Sequence, residues 1–587
     1  MMRYTLEAEK YGIRWDGTEA DATTQGINRA IFEAAEAGYS EVYIPKGKYL
    51  IDAVNRLAVN PEEGAGIRVP SDMTIIRHPK AEFIVDPNNS YGYSCFYLGE
   101  VENVTLKGGR IRGDRFKHDF TGHGDLEKKK THEWGYGINI HGAKNIVIED
   151  INISECTGDC VMVCAKGMLN VTWTDYRPAR NVTIRNCILD GARRNNISVT
   201  GGEDVLIDDN VITNAGIADG CGPSFGIDIE GYGEGDIDYE EPRNVKVTNN
   251  TFSGNVKQSV CNFSGYEVVI ENNHSDNTIS YGYGTDTIIS NNVLIRRDNK
   301  ETAISSLGVS SGFTGNNAAI IGNSIKGFSS GIDIRGADVV VMSNVISDLS
   351  VDGVALGTFE ARNVLFAGNV VSNCPGKHCT ANKSLDITFE NNKLNSSDIH
   401  SIEAIDSHNI ISRSNKVKNS KKGIVVTRSS AVISDNDIDL TEYSGDVSYA
   451  IAFDKGSDVV IKNNHIPAPA NMAIYGESAD GREVCIKDNN ISNAKCLTAV
   501  YLVGGKKPKI SNNDITFRRT ASGGYGILTK GTSDALLDGN TVYSVSEFKL
   551  YSPIKTDESI NSRVIGNKIS GNLALNKTDI ETNNIPI

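Results

Sequence analysis

From residue 103 onward the apolar and polar positions repeat as one short phrase. It reads NVTLKGG, NIVIEDI, NVTIRNC, DVLIDDN, NVKVTNN, EVVIENN and DTIISNN, then DVVVMSN, NVLFAGN, DITFENN, DVVIKNN, EVCIKDN, DALLDGN and NSRVIGN. The template is polar, apolar, any, apolar, polar, polar or Gly, Asn, and it recurs roughly every 22 to 27 residues. A second short strand falls between copies, as GINI at 137, GIDI at 226 and again at 331, GIVV at 423 and GILT at 526. Alternation at period two sends one face of each strand inward and the other outward. A unit this small cannot bury its apolar face alone, but units stacked about 4.8 Å apart can. The pattern therefore predicts a parallel β-helix. Asn210, Asn250, Asn273, Asn292, Asn323, Asn344, Asn369, Asn392 and Asn464 hold one place in the unit. That place reads as a tight turn in the αL conformation with amide stacked on amide, a structural column rather than a site.

The segment before the repeats differs. TTQGINRAIFEAAEA, from Thr23 to Ala37, puts Ile27, Ala30, Ile31 and Ala34 at helical spacing, and Gly38 stops it. The strand-like VYIPKGKYLI follows at 42–51. An amphipathic helix over an open solenoid end covers its unpaired edge, so residues 1–60 read as a cap and 61–587 as the β-helix.

Composition narrows the class. The chain has 587 residues, 58 of them Gly and only 14 Pro, with 23% charged, which suits a folded, turn-rich protein and excludes collagen, coiled coil and disorder. A net charge of -15 argues against nucleic acid as a partner. No apolar run approaches the roughly 20 residues of a membrane span, so membrane insertion is not expected. MMRYTLEAEKYGIRWDG has no apolar h-region and so no secretory signal, which places synthesis in the cytoplasm. Among the 11 cysteines, Cys156, Cys160 and Cys164 are evenly spaced, yet ISECTGDCVMVCA reads as strand–turn–strand, which predicts buried thiols rather than a metal site. GYGEGD at 231–236 precedes no helix and cradles no phosphate.

Departures from the short period locate the chemistry, because insertions in a solenoid fall on loops. They lie at 113–135, 166–180, 215–224 and 232–243, which together predict one groove over residues 110–245. In its strands the outward residues are Asn139 and His141, Met162 and Cys164, Ser198 and Thr200, and Asp228 and Glu230. Asp228 and Glu230 on one face have Cβ atoms about 6.5 to 7 Å apart, within the range of an inverting glycosidase pair. Asp159 in TGDC is a third acid, or a turn cap. Arg112, Arg115, Lys117, His118, Lys128, Lys129, Lys130, Arg193 and Arg194 form a local basic cluster suited to an anionic polymer. In THEWG, His132, Glu133 and Trp134 open the first groove strand, with the indole a candidate sugar platform. β-Elimination would need a base and cations, for which Arg194, His141 and His132 are candidates.

The DGT turn, the helix and PKGKYLI together resemble the start of the pectate-lyase-like right-handed β-helix proteins, and the likeness spans nearly the whole chain. GDRFKH, THEWGYGINI and TGDC are similar to phage and prophage tail β-helix proteins of Gram-positive hosts. The resemblance implies an all-β, right-handed solenoid that degrades a polysaccharide by hydrolysis or β-elimination. It also implies a tail-spike type of depolymerase, a homotrimer, and a virion-associated protein acting outside the cell after release. No cofactor is implied, apart from Ca2+ if the reaction is a lyase. The polygalacturonase step Gly-Asp-Asp-Cys is incomplete here, and His123 of TGHGD sits in an insertion, so that mechanism is not carried over. A glycan-binding adhesin using the same groove is the alternative.

Overall fold

The computed structural model describes residues 2–54, 64–122, 130–234, 237–307, 317–443, 449–469, 471–545 and 547–587. It divides into two compact units, residues 1–295 with 316–318 and residues 296–315 with 319–587. Each unit is built from short strands in three parallel sheets, and the chain visits the sheets in turn before returning one rung further on. Lys144–Glu149, Asn152–Ser154 and Val161–Cys164 make one such coil, and Ala179–Arg185, Ile188–Asp190 and Ile197–Val199 the next. This is the parallel β-helix that the alternation predicts. The apolar template explains the register: Ile146, Val182, Val205 and Val245 stand opposite one another and are at most 1% exposed.

The asparagine column is real, but it does not hold the left-handed turn. In the second unit the Asn344 N–H donates to Asn369 Oδ1 at 3.0 Å, Asn369 N–H to Asn392, and Asn392 N–H to Asn415, each at 3.0 Å. The Asn369 amide in turn donates to the Val341 carbonyl at 3.0 Å. The left-handed residue is the one before, as at Asn249 (φ 57°), Asn272 (φ 58°), Ser343 (φ 56°) and Asn391 (φ 55°). The two positions do separate jobs. One reverses the chain in contact with solvent; the next points inward and satisfies turn N–H groups that no sheet reaches. The first position of the phrase is a second left-handed site with its own ladder. Asn181 Nδ2 donates to Asn145 Oδ1, and Asn145 Nδ2 to Asn103 Oδ1, both at 2.8 Å.

The N-terminal helix runs Ala20–Glu36, three residues earlier than its apolar spacing suggests. It buries Thr23, Thr24, Gly26, Ile27, Ala30, Ile31 and Ala34. Asn28 ties it to the strand Ala65–Arg68, donating to Gly66 O at 2.7 Å and accepting from Arg68 N–H at 2.8 Å. The predicted strand at 42–51 is two, Glu41–Ile44 and Gly47–Ile51, broken at Pro45.

Candidate active site

Four neighbouring strands of the third sheet form the floor: β1 (Trp134–His141), β2 (Val161–Cys164), β3 (Ile197–Val199) and β4 (Phe225–Ile229). Their register sets Asn139, Met162, Ser198 and Asp228 in one outward row. Ile140, Val163, Val199 and Ile229 point into the core at 0% exposure. Two walls flank this floor. On the entry side the described residues 113–122 of the first insertion and the loop 215–224 are tied together. Arg115 Nη1 donates to Gly191 O at 2.7 Å, its guanidinium also reaches the carbonyls of Ile217 and Ala218, and the Cys221 N–H donates to Arg193 O. On the exit side 166–180 packs on 232–243, with Leu169 N–H donating to Tyr239 O at 2.7 Å and Asn170 Nδ2 to Asp238 O at 2.9 Å.

A polar cluster sits on the floor between the walls. Asp159, just before β2, is fully buried and accepts from Arg194 Nη1 and Asn195 N–H, both at 2.9 Å. Arg194 also donates to Ser198 Oγ at 3.1 Å and lies 3.5 Å from Glu133 Oε2. Burial opposes the Arg194 charge, but Asp159 and Asp228 more than offset it and hold the guanidinium protonated. Asn195 Nδ2 bridges to Asp228 Oδ2 at 3.1 Å and to Ser198 Oγ at 3.0 Å, and its Oδ1 accepts from the Phe225 N–H. Asp228 Oδ1 meets no donor among the described residues, and Glu230, two residues on, is close enough for its charge to act on it. Burial pushes the Asp228 carboxyl up to about 7, Arg194 pulls it down, and the charges of Glu230 and Asp159 raise it further. Burial raises Glu230 too, against the pull of Arg194.

Two expectations change here. Asp228, read from the sequence as an outward residue, is only 2% exposed, with Asn195 bonded to its Oδ2 and the Arg194 charge acting on it. Asp159 is no simple turn cap, as its carboxylate binds the Arg194 guanidinium.

The other residues singled out from the sequence fall into separate places. Arg115 is 4% exposed and is spent on loop carbonyls, so it shapes the wall rather than meeting a ligand. His132 is fully buried, its Nδ1 joined at 2.8 Å to His118 Nε2, whose Nδ1 in turn reaches Asp114 Oδ2 at 2.7 Å. Asp114 also takes hydrogen bonds from the Tyr93 and Thr157 hydroxyls. This relay pins the loop to the turn that carries Asp159, and burial removes His132 from the role of base. His141 pairs with the Tyr97 hydroxyl at 2.8 Å, three rungs or about 14 Å from the Glu230 rung. Arg193 lies over the Phe120 ring at 4.3 Å and donates to Thr131 O at 2.5 Å. Trp134 is half-buried, edge-on to Tyr91 at 6.4 Å. Of the remaining basic residues, Arg112 pairs with Glu82 at 3.3 Å and His118 is buried, while Lys128 and Lys129, like His123, lie outside the described residues. Cys156 and Cys160 are buried thiols outside any disulfide, and Cys164 is a partly exposed thiol that donates to Asn139 Oδ1 at 3.5 Å. Sequence reasoning missed Tyr136, buried against Asp159 and Arg194, because a tyrosine at that phase of β1 reads as core. It also missed Asp114, which alternation cannot distinguish from any loop acid.

Coil, floor and walls define a class, and the family model of the right handed beta helix region matches residues 175–328, 308–466 and 449–584. The chain belongs to that right-handed β-helix family, with the handedness the resemblance implied. Among individual proteins, it is 38% identical over 586 residues to the SPbeta prophage-derived uncharacterized protein YorA of Bacillus subtilis, covering 99% of this chain and 98% of that one. It is 39% identical over 537 residues to the protein YclG of the same organism, covering 89% of each. Among solved structures, the pre-mature bacteriophage phi29 gene product 12 aligns over 95% of this chain and 73% of its own, with 12% identity and a TM-score of 0.43.

Proposed function

We propose that this chain acts on a glycan and cuts glycosidic bonds by hydrolysis, with Asp228 and Glu230 as a proton-sharing dyad. The observation that carries this reading is the pair itself: Asp228 in β4 and Glu230 just past its end, the former raised to about 7 by burial. At neutral pH such a dyad offers one acid to protonate a leaving oxygen and one carboxylate to receive a proton from water or to steady positive charge. Arg194, Asp159 and Asn195 act as positioning residues, holding Asp228 by the contacts described above. Elimination is the weaker reading, because Arg194 is already matched by Asp159 and Glu133, and His132 has no access to solvent. A uronate carboxylate at the cleavage point would also face four acids around one guanidinium. We therefore place any anionic groups of the polymer away from the floor, where Arg193 could meet them. Ca2+, tied to the lyase reading, has no group of three acidic, His or Cys ligands waiting for it among the described residues.

A second reading, a glycan-binding adhesin, is favoured by aromatic side chains on both walls: Trp173 is 84% and Phe116 63% exposed. One experiment separates the two. Cell-wall and capsular glycans are incubated with wild type and Glu230→Gln, and both new reducing ends and binding are measured. Cleavage by wild type alone, with binding kept in the variant, supports hydrolysis. Binding without cleavage by either protein moves the reading to the adhesin, and absorbance of unsaturated uronates moves it to a lyase. The prophage-derived relative supports association with a phage particle, tested by searching induced particles for the chain. The homotrimer is tested by light scattering of the purified protein.

A further inference from the structure

We propose that the interior of the first unit holds one small monovalent anion, chloride by preference, against the guanidinium of Arg77. Arg77 ends the strand Thr74–Arg77 and stands in register with Ile44, a fully buried core position, so its side chain enters the interior. It is 2% exposed. Gly109, in the left-handed region at φ 75°, makes room for it: a Cβ there would lie 3.0 Å from Arg77 Cβ and 3.5 Å from Cδ. The guanidinium carbon lies 4.9 Å from the Phe96 ring centre and 5.5 Å from that of Phe83. Its edge is a different matter. Nε, Nη1 and Nη2 have no hydrogen-bond partner among the described residues.

Among the described residues the charge has no counterpart either. The groups that it meets electrostatically are the thiols of Cys95 and Cys187, both buried, and no carboxylate. Burial pulls the Arg77 pKa down only to about 10, so the group stays a cation at neutral pH. An isolated cation in a dry interior is costly, and aromatic contacts offset only part of that cost. The N–H edge still needs an acceptor. One guanidinium among Phe83, Phe96 and Cys95 matches one compact, singly charged anion. Sulfate or phosphate would bring more charge and demand more donors than this lining offers. The Cys95 thiol, kept as S–H by burial, is a weak donor facing the same charge.

The test compares urea unfolding of the full chain in sodium chloride and in sodium methanesulfonate at matched ionic strength. Each tenfold rise in chloride above its Kd should raise the folded-to-unfolded ratio about tenfold, and methanesulfonate should not. Arg77→Met, similar in bulk but uncharged, should lose the difference between the salts. Should that variant fail to fold, crystals of the wild type soaked in bromide carry the test, with an anomalous peak expected beside the Arg77 nitrogens. Chloride-specific stabilisation that Arg77→Met abolishes, or a bromide peak at that edge, supports the proposal. Equal midpoints in the two salts with no bromide peak at Arg77 would overturn it.

Discussion

Asp228 shows how one buried acid ties stability to chemistry. In the unfolded chain an aspartate titrates near about 4; in the fold burial raises Asp228 to about 7. The folded chain therefore binds this proton more tightly. That contribution is complete below about pH 4 and is lost as pH rises through about 7. Asp228→Asn should accordingly unfold at higher urea than wild type at pH 8, by about 1–3 kcal/mol, the scale of a buried unpartnered polar group. At pH 4 the two proteins should unfold together. The same substitution, or Glu230→Gln, should lower turnover about 10²-fold or more, because a positioned proton-transfer group is worth about 10²–10⁴. In the wild type, turnover measured against pH should fall above about 7 as the shared proton leaves. Arg194→Ala behaves in the opposite sense. It strands the fully buried Asp159 carboxylate, a change that typically costs about 3–5 kcal/mol. Asp159→Asn with Arg194→Met should recover most of that loss, as read by urea midpoints of the single and double variants.

At the scale of an element, the turn after the first-sheet strand is where local chemistry and stacking meet. Asn391 and Asn392 are identical in sequence and adjacent, yet φ is 55° at the first and the second is fully buried. Asn391→Gly should be nearly neutral, since glycine enters the left-handed region without strain. Asn392→Gly removes the acceptor for the Asn369 N–H and the donor to Phe366 O, leaving buried groups that cost about 1–3 kcal/mol each. Thermal unfolding of the two single variants checks the contrast. Sequence reading found the column and its amide-on-amide stacking but gave it the left-handed turn as well, because a repeated Asn-Asn does not say which residue turns the chain. Only the three-dimensional turn separates the solvent-facing amide from the inward one.

For the whole molecule, each unit is a stack in which a rung touches mainly its neighbours, so damage should stay local. Hydrogen exchange in Asn369→Ala should speed up first in the strands Val345–Ser347, Val370–Ser372 and Lys393–Ser397 beside the lost ladder link. Uniform acceleration across residues 319–587 would instead mean that this unit opens as one cooperative body.

The coil itself was legible because its cause is local and repeated. Val104, Ile146, Val182 and Val205 alternate with polar neighbours at period two, and stacking is the way such short strands bury that face. The loops and the acids were legible as departures from that repeat, which is how Asp159, Arg194, Asp228 and Glu230 stand out in the sequence. Their chemistry was not. Whether Asp228 is solvated or buried depends on Asn195 and Arg194 arriving from the neighbouring rung. Whether Arg115 meets a ligand or a carbonyl depends on a loop a hundred residues away. Local pattern determines which face a side chain points to; the tertiary structure decides what covers it, and in a low-dielectric interior that cover sets the proton.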